Sequence, residues 1–241
     1  MFSIFIASAG TATFAAGAGN NTTSTALSFS PKSDTLIEGP EQAVLTTTGS
    51  TLNGLVTYTG TNATIVDADS ATIAFQQATT TIGEDDPVAN LALILSTAPG
   101  NTLENPATIF VNAVNGSAEN TDYDSAAFPK TITFAAGQGN GATQTVAFDP
   151  ASDNLIEGDE TVSLSINNGP LLTASGQTSN LLTIHDADTA SVVVVTGQSV
   201  SEDGGAQPIA VRLLTTGGNT LDKDFFLKPV SVSPRPLTAL T

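Results

Sequence analysis

The 241-residue chain has no cysteine and no tryptophan, two tyrosines, one histidine and six lysines and arginines in total. Without cysteine there can be no disulfide and no thiolate metal site. That excludes the small disulfide-stapled secreted class, though not secretion itself. Six cationic residues against 23 acidic ones leave a net charge of −17. Such a chain lacks the positive footprint that nucleic acid or an anionic membrane surface requires, and its charge favours cations as partners. His185 is the only histidine, so no Ser-His-Asp arrangement can be built around a choice of bases, and a lone histidine at a strand end is expected to be solvated. No apolar run approaches the ~18 residues of a membrane-spanning helix.

What the chain does contain is repetition. The stretch ATFAAGAGN at 12–20 returns as ITFAAGQGN at 132–140, SDTLIEGPE at 33–41 as SDNLIEGDE at 152–160, and TIVDADSA at 64–71 as TIHDADTA at 183–190. A fourth pair matches TIGEDDPVANLALILSTAPGNTL at 81–103 with SVSEDGGAQPIAVRLLTTGGNTL at 199–221. All four pairs keep the same order and lie 118 to 120 residues apart, the signature of tandem structural units. The chain therefore divides into the C-terminal half of one repeat (1–69), a complete repeat (70–188) and the N-terminal half of another (189–241). The apolar N-terminus has no Lys or Arg ahead of its apolar centre, as a signal peptide should. It reads as the copy of an internal strand.

Within one period the pattern is all strand. TIAF, LALIL, TIFVNAV, TITF, TQTVAF, TVSLSI and LLTI are short, rich in β-branched residues and separated by Gly, Pro, Asn and Asp. Seven strands in about 120 residues match an immunoglobulin-like sandwich. The fold class is all-β, as tandem sandwiches. Only 12% of the residues are charged, yet the acids gather at strand ends. Glu84, Asp85 and Asp86 follow the first strand, Asp122 and Asp124 sit in NTDYDS, Asp153, Glu157, Asp159 and Glu160 precede TVSLSI, and Asp186 and Asp188 close the last strand. In a sandwich the ends of the first and last strands lie at one pole, so carboxylates from four segments converge there. Left bare they repel one another. A divalent cation relieves this, and oxygen ligands without Cys or a nearby His are the preference of calcium.

The order of NGSAENTDYDS, TITFAAGQGNGATQTVAF, DNLIEGDETVSLSI and LLTIHDAD resembles a Calx-beta domain, the module of sodium–calcium exchangers and of many bacterial surface arrays. The resemblance covers one full repeat and most of both halves. It implies calcium at the pole, with Glu84, Asp122, Asp153, Glu157, Asp186 and Asp188 at positions matching family ligands, and Glu160 at a carboxylate that ligates or braces the site. In the first half-repeat Asp34, Glu38, Glu41, Asp67 and Asp69 repeat the acidic pattern, but Pro40 replaces Asp159 and calcium there stays open.

Other chemistries find less support. A paired-carboxylate hydrolase using Asp153 and Glu157 lacks a cleft and the aromatic platforms of a sugar site. The glycines GQGNG at 137–141 lead into a strand rather than a helix, so they offer no phosphate site and read as a hairpin turn. The expectation is a non-enzymatic extracellular or cell-surface repeat protein, bacterial in type, stiffened by calcium and structural or adhesive in role. The alternatives are a ligand-binding adhesin fragment and a calcium-independent stalk. By the repeat offsets Thr241 corresponds to position 123 and Met1 to position 121. Two readings stay open: residues 189–241 of one copy complete residues 1–69 of another, head to tail, or the chain is a piece of a longer array, which its C-terminal segment favours. Pro229, Pro234 and Pro236 are poor strand residues, and Leu240 stands where an aspartate equivalent to Asp122 is needed.

Overall fold

The computed structural model describes residues 5–6, 11–24, 30–44 and 62–228. The prolines at 229, 234 and 236, Leu240 and both chain ends lie outside the described residues. Among the described residues the structure is strands and turns, with one 3-10 turn at Ser125–Ala127. Among them no helix is long and apolar enough to cross a membrane.

Nine strands build the central sandwich: β1 (Ala71–Phe75), β2 (Thr79–Gly83), β3 (Ala89–Thr97), β4 (Ala107–Asn115), β5 (Lys130–Phe134), β6 (Thr143–Phe148), β7 (Glu160–Asn167), β8 (Leu172–Ala174) and β9 (Ser179–His185). One sheet has the order β5-β4-β7-β9-β2 and the other β6-β3-β1-β8. The seven expected runs are all present. Two further strands, β2 and β8, raise the expected seven to nine: β8 pairs with β1 in one sheet and β2 with β9 in the other. Both of these contacts are parallel, which brings the ends of β2 and β9 to the same pole, with Gly83 opposite His185.

Alternation along the strands supplies the core. On β7, Val162, Leu164 and Ile166 point inward between exposed or half-buried Thr and Ser, as the period of two demands. Phe134, Phe148, Leu93, Leu95, Ile109, Leu164 and Leu182 are all fully buried between the sheets. Burying a Leu, Ile or Phe side chain contributes about 1.5–3 kcal/mol relative to exposure, which lets an aromatic-poor sequence close a core.

Two local expectations are corrected. The glycine stretch 137–141 is not a hairpin turn, because β5 and β6 belong to different sheets and do not pair. It is a crossover. Gly139 bridges to Thr102, and a Cβ there would meet the Asn101 carbonyl oxygen at 2.5 Å, so only glycine allows the approach. The copy of β5 near residues 12–14 is not a strand. In the middle repeat β5 is held by β4, and 12–14 has no such partner among the described residues. The turn that follows is retained: Ala18 N–H donates to Ala15 at 3.0 Å, as Gln138 N–H does to Ala135 at 3.2 Å.

The flanking segments repeat the pairings of the sandwich. Glu41–Val44 pairs antiparallel with Asn62–Ile65, as β7 does with β9. Ala190–Val194 pairs antiparallel with Val211–Thr215, matching β1 with β3 residue for residue.

Candidate metal centre

The inward-facing rows of three strands do not end where the apolar residues end. On β2 the inward residue Ile82 is followed two positions later by Glu84, and on β9 Leu182 and Ile184 are followed by Asp186 and then Asp188. On β7 the row begins with Glu160, ahead of Val162. Glu160 lies opposite Ile184 in the β7–β9 register. The carboxylates therefore continue the core face beyond its apolar part, and Glu84 and Glu160 are buried at 8% and 7% exposure.

Asp122 arrives from the β4–β5 loop and is also buried. The loop is stapled to the segment after β6: Ala151 N–H donates to the Asp122 carbonyl at 2.9 Å, and Asp124 N–H to the Asp149 carbonyl at 3.0 Å. Tyr123 anchors it. Its ring stacks on Phe148 with centroids 5.0 Å apart, and its hydroxyl donates to Asn115 Oδ1 at 2.6 Å. Glu157 comes from the turn before β7, where Gly158 adopts a φ of 91° that disfavours a side chain. That conformation aims the Glu157 and Gly158 N–H groups at Asp186 Oδ2, at 2.7 and 2.9 Å.

Six of the seven expected ligand residues form two trios of carboxylates whose oxygens lie within 4.8 Å of one another: Glu84, Asp186 and Asp188 in one, and Asp122, Glu157 and Glu160 in the other. Asp153 lines one cavity with Glu84, Asp122, Glu157, Glu160 and Asp186, and its Oδ1 accepts the Leu155 N–H at 2.6 Å. Asp85 and Asp86 are exposed, and Asp86 turns back to accept the Gly83 N–H at 2.7 Å. His185 is exposed, as expected, and also pairs with Asp159 at 2.7 Å. Both trios lie within residues 84–188. In the first half-repeat Asp67 takes the Glu38 N–H at 2.7 Å, as Asp186 takes that of Glu157, but no trio forms among the described residues.

Crowding shows in the proton affinities. Burial, then the charge of Asp122 and Asp153, pushes Glu157 up to about 7. Burial, then the hydrogen bond to Asp122, pushes Glu160 up to about 8. Burial also works to raise Asp122, but hydrogen bonds from the Glu160 carboxyl, the Glu119 N–H and the Thr121 hydroxyl outweigh it and hold Asp122 below its ordinary value. Of the two, the Glu160 carboxyl is therefore the one that favours its proton, donated toward Asp122. Glu84 is raised, chiefly by burial and against the Ala187 N–H, with the charges of Asp186 and Asp188 adding to it. Asp186 is the counterweight: burial is outweighed by the N–H groups of Gly158, Glu157 and Asp188, so it stays ionised. Asp188 Oδ2 is buried with no hydrogen-bond partner among the described residues, an unusual state for an acceptor taken out of water. All-oxygen donors, a buried free carboxylate oxygen and glutamates holding protons near neutrality fit a hard divalent cation such as calcium.

Legible in the sequence, but not drawn from it, was the two-residue phase of Glu84, Glu160 and Asp186 with the apolar rows. The bracing of Asp122 by Asn115 through Tyr123 depends on a contact across the loop that no local pattern signals.

No family profile and no curated protein match the chain. Among solved structures it is similar to the apo form of the Calx CBD1 domain (14% identity, 49% of this chain and 99% of that one, TM-score 0.40). It is also similar to the Calx CBD2 domain (11% identity, 48% and 86%, TM-score 0.39) and to CBD12 from CALX1.2 (16% identity, 47% and 43%, TM-score 0.38).

Proposed function

We propose that the middle repeat is a calcium-binding sandwich whose two carboxylate trios, with Asp153, take cations at one pole, in a non-enzymatic repeat protein. The observation that carries this reading is the burial of Glu84, Asp122 and Glu160 together with the unpartnered Asp188 Oδ2. A bound cation would supply the positive charge that the pole lacks and displace the protons on Glu157 and Glu160. Asp186 and Asp188 lie directly before the next repeat's first strand, so charge neutralisation there also firms the root of that repeat. This suits an extended structural or adhesive array outside the cell.

Self-association is the finer part of the reading. Val211 and Leu213 are 52% and 41% exposed, whereas their counterparts Leu93 and Leu95 are fully buried under the rest of the middle sandwich. Residues 1–69 of a second copy carry the sequence that covers this face in the middle repeat. Light scattering checks it: concentration-dependent growth is expected, and a stable monomer at tens of micromolar is the contrary result.

Calcium that binds the native pole and not the unfolded chain stabilises by RT ln(1 + [L]/Kd), about 2.7 kcal/mol at a hundredfold excess over Kd. Thermal melting of the full chain with calcium and with EDTA measures this. Glu157→Ala and Asp186→Ala should lose most of the gain, and Glu104→Ala, outside both trios, should keep it. A melting temperature indifferent to EDTA favours the calcium-independent stalk.

A further inference from the structure

The described residues contain two junctions between repeats, and the two are built alike. At the first, Leu36–Ile37 pairs in parallel with Thr102–Leu103 of the middle repeat. At the second, Leu155–Ile156 pairs in parallel with Thr220–Leu221 of the next. Thr102 N–H donates to the Thr35 carbonyl at 3.0 Å, and Thr220 N–H to that of Asn154 at 2.9 Å. Glu104 N–H reaches Ile37 at 3.1 Å, and Asp222 N–H reaches Ile156 at 3.3 Å. A side chain locks each pair. Asn101 donates its amide to Asp69 Oδ1 at 2.6 Å, and Asn219 donates to Asp188 Oδ1.

Both asparagines follow a glycine turn at a repeat's corner, where a solvated side chain is the norm, yet both are buried, at 6% and 7% exposure. A buried amide needs a partner. Here the partner is the closing aspartate of the preceding repeat.

We propose that this corner is a docking surface for a neighbouring repeat of the same kind, keyed by the buried asparagine, which sets successive repeats at one fixed orientation. Its contacts run from protein to protein, but the acceptor Asp188 also belongs to the first carboxylate trio, so the orientation is measured with calcium removed. Recurrence carries the inference: at both junctions Leu-Ile meets Thr-Leu in the same register, with the same Asn–Asp bond beside it. A pair of two-residue strands is too short to hold an orientation alone, since short isolated pairings are marginal in water. The amide adds the directional bond, and its loss leaves a carboxylate oxygen without its donor. A constant junction applied repeatedly generates a rod of constant twist.

The absence of cysteine makes the test clean. Spin labels are placed through Thr145→Cys on the sandwich and Arg212→Cys on the following hairpin, both exposed positions, and the interlabel distance is measured by electron–electron double resonance on the full chain in EDTA. A single narrow distribution is expected, broadening severalfold in Asn219→Asp, which is isosteric but cannot donate, and in Asn219→Ala. Amide exchange at Val192 and Leu213 reports whether the hairpin remains folded. A broad distribution before any change at Asn219 overturns the proposal. So does an unchanged distribution in both variants. Loss of hairpin protection in both variants also overturns it, because Asn219 would then be a folding residue of its own repeat rather than a key between repeats.

Discussion

Glu157 and Glu160 bring the pole's chemistry down to single protons. Each is held well above the ordinary 4.5 of a glutamate, at about 7 and about 8. The folded chain therefore keeps protons that the unfolded chain releases. This contribution to stability is complete below pH 4.5 and is lost as the pH rises through 7 to 8. In EDTA the melting temperature should fall across that window. Calcium should flatten the profile by taking the protons' place, with its affinity rising up to about tenfold per pH unit for each proton displaced. Glu160→Gln keeps a donor for Asp122 without a titrating proton. It should reduce the slope in EDTA and weaken calcium binding together, and melting curves from pH 5 to 8 with and without calcium check both. An unchanged slope would contradict the proton assignment.

The strands decide which carboxylates become site residues and which remain surface charge. Asp85, Asp86 and Asp159 carry carboxylates as Glu84 and Glu160 do, and they lie one or two positions away. They fall out of phase with the inward row or beyond its end, and all three are exposed. The alternation in ETVSLSI made β7 readable from sequence, because one face must be apolar to be buried. The same alternation already placed Glu160 on that face. The placing of the two additional strands, β2 and β8, was not readable. It is set by pairing across the sandwich, β1 with β8 and β2 with β9. The GQGNG crossover misled for a similar reason: glycines announce a turn but not whether the flanking strands will pair. At this scale Gly158 is the sensitive position. Gly158→Ala meets no atom within 4 Å, so its cost is backbone strain at positive φ, on the order of 1 kcal/mol. Because the Glu157 and Gly158 N–H groups hold Asp186, calcium affinity should fall several-fold with every carboxylate still present. Titration of the variant followed by intrinsic tyrosine fluorescence reads this, and wild-type affinity would show that the turn does not position the ligands.

Across the whole molecule, the sequence repeat reappears as repeated pairings on either side of the sandwich, in Glu41–Val44 with Asn62–Ile65 and in Ala190–Val194 with Val211–Thr215. The convergence of acids was legible because it follows from strand order alone. Their division into two trios was not, because it depends on how the Asp122 loop folds over Phe148 and how Gly158 turns. The central claim is that this pole takes calcium in exchange for protons. Isothermal titration of calcium into the metal-stripped full chain at pH 7, repeated in two buffers of different ionisation enthalpy, tests it most directly. Saturable binding is predicted, with an apparent enthalpy that shifts between buffers in the sense of proton release and a signal that largely disappears in Asp186→Ala. Absence of binding heat in both buffers, or binding that survives Asp186→Ala intact, would contradict it.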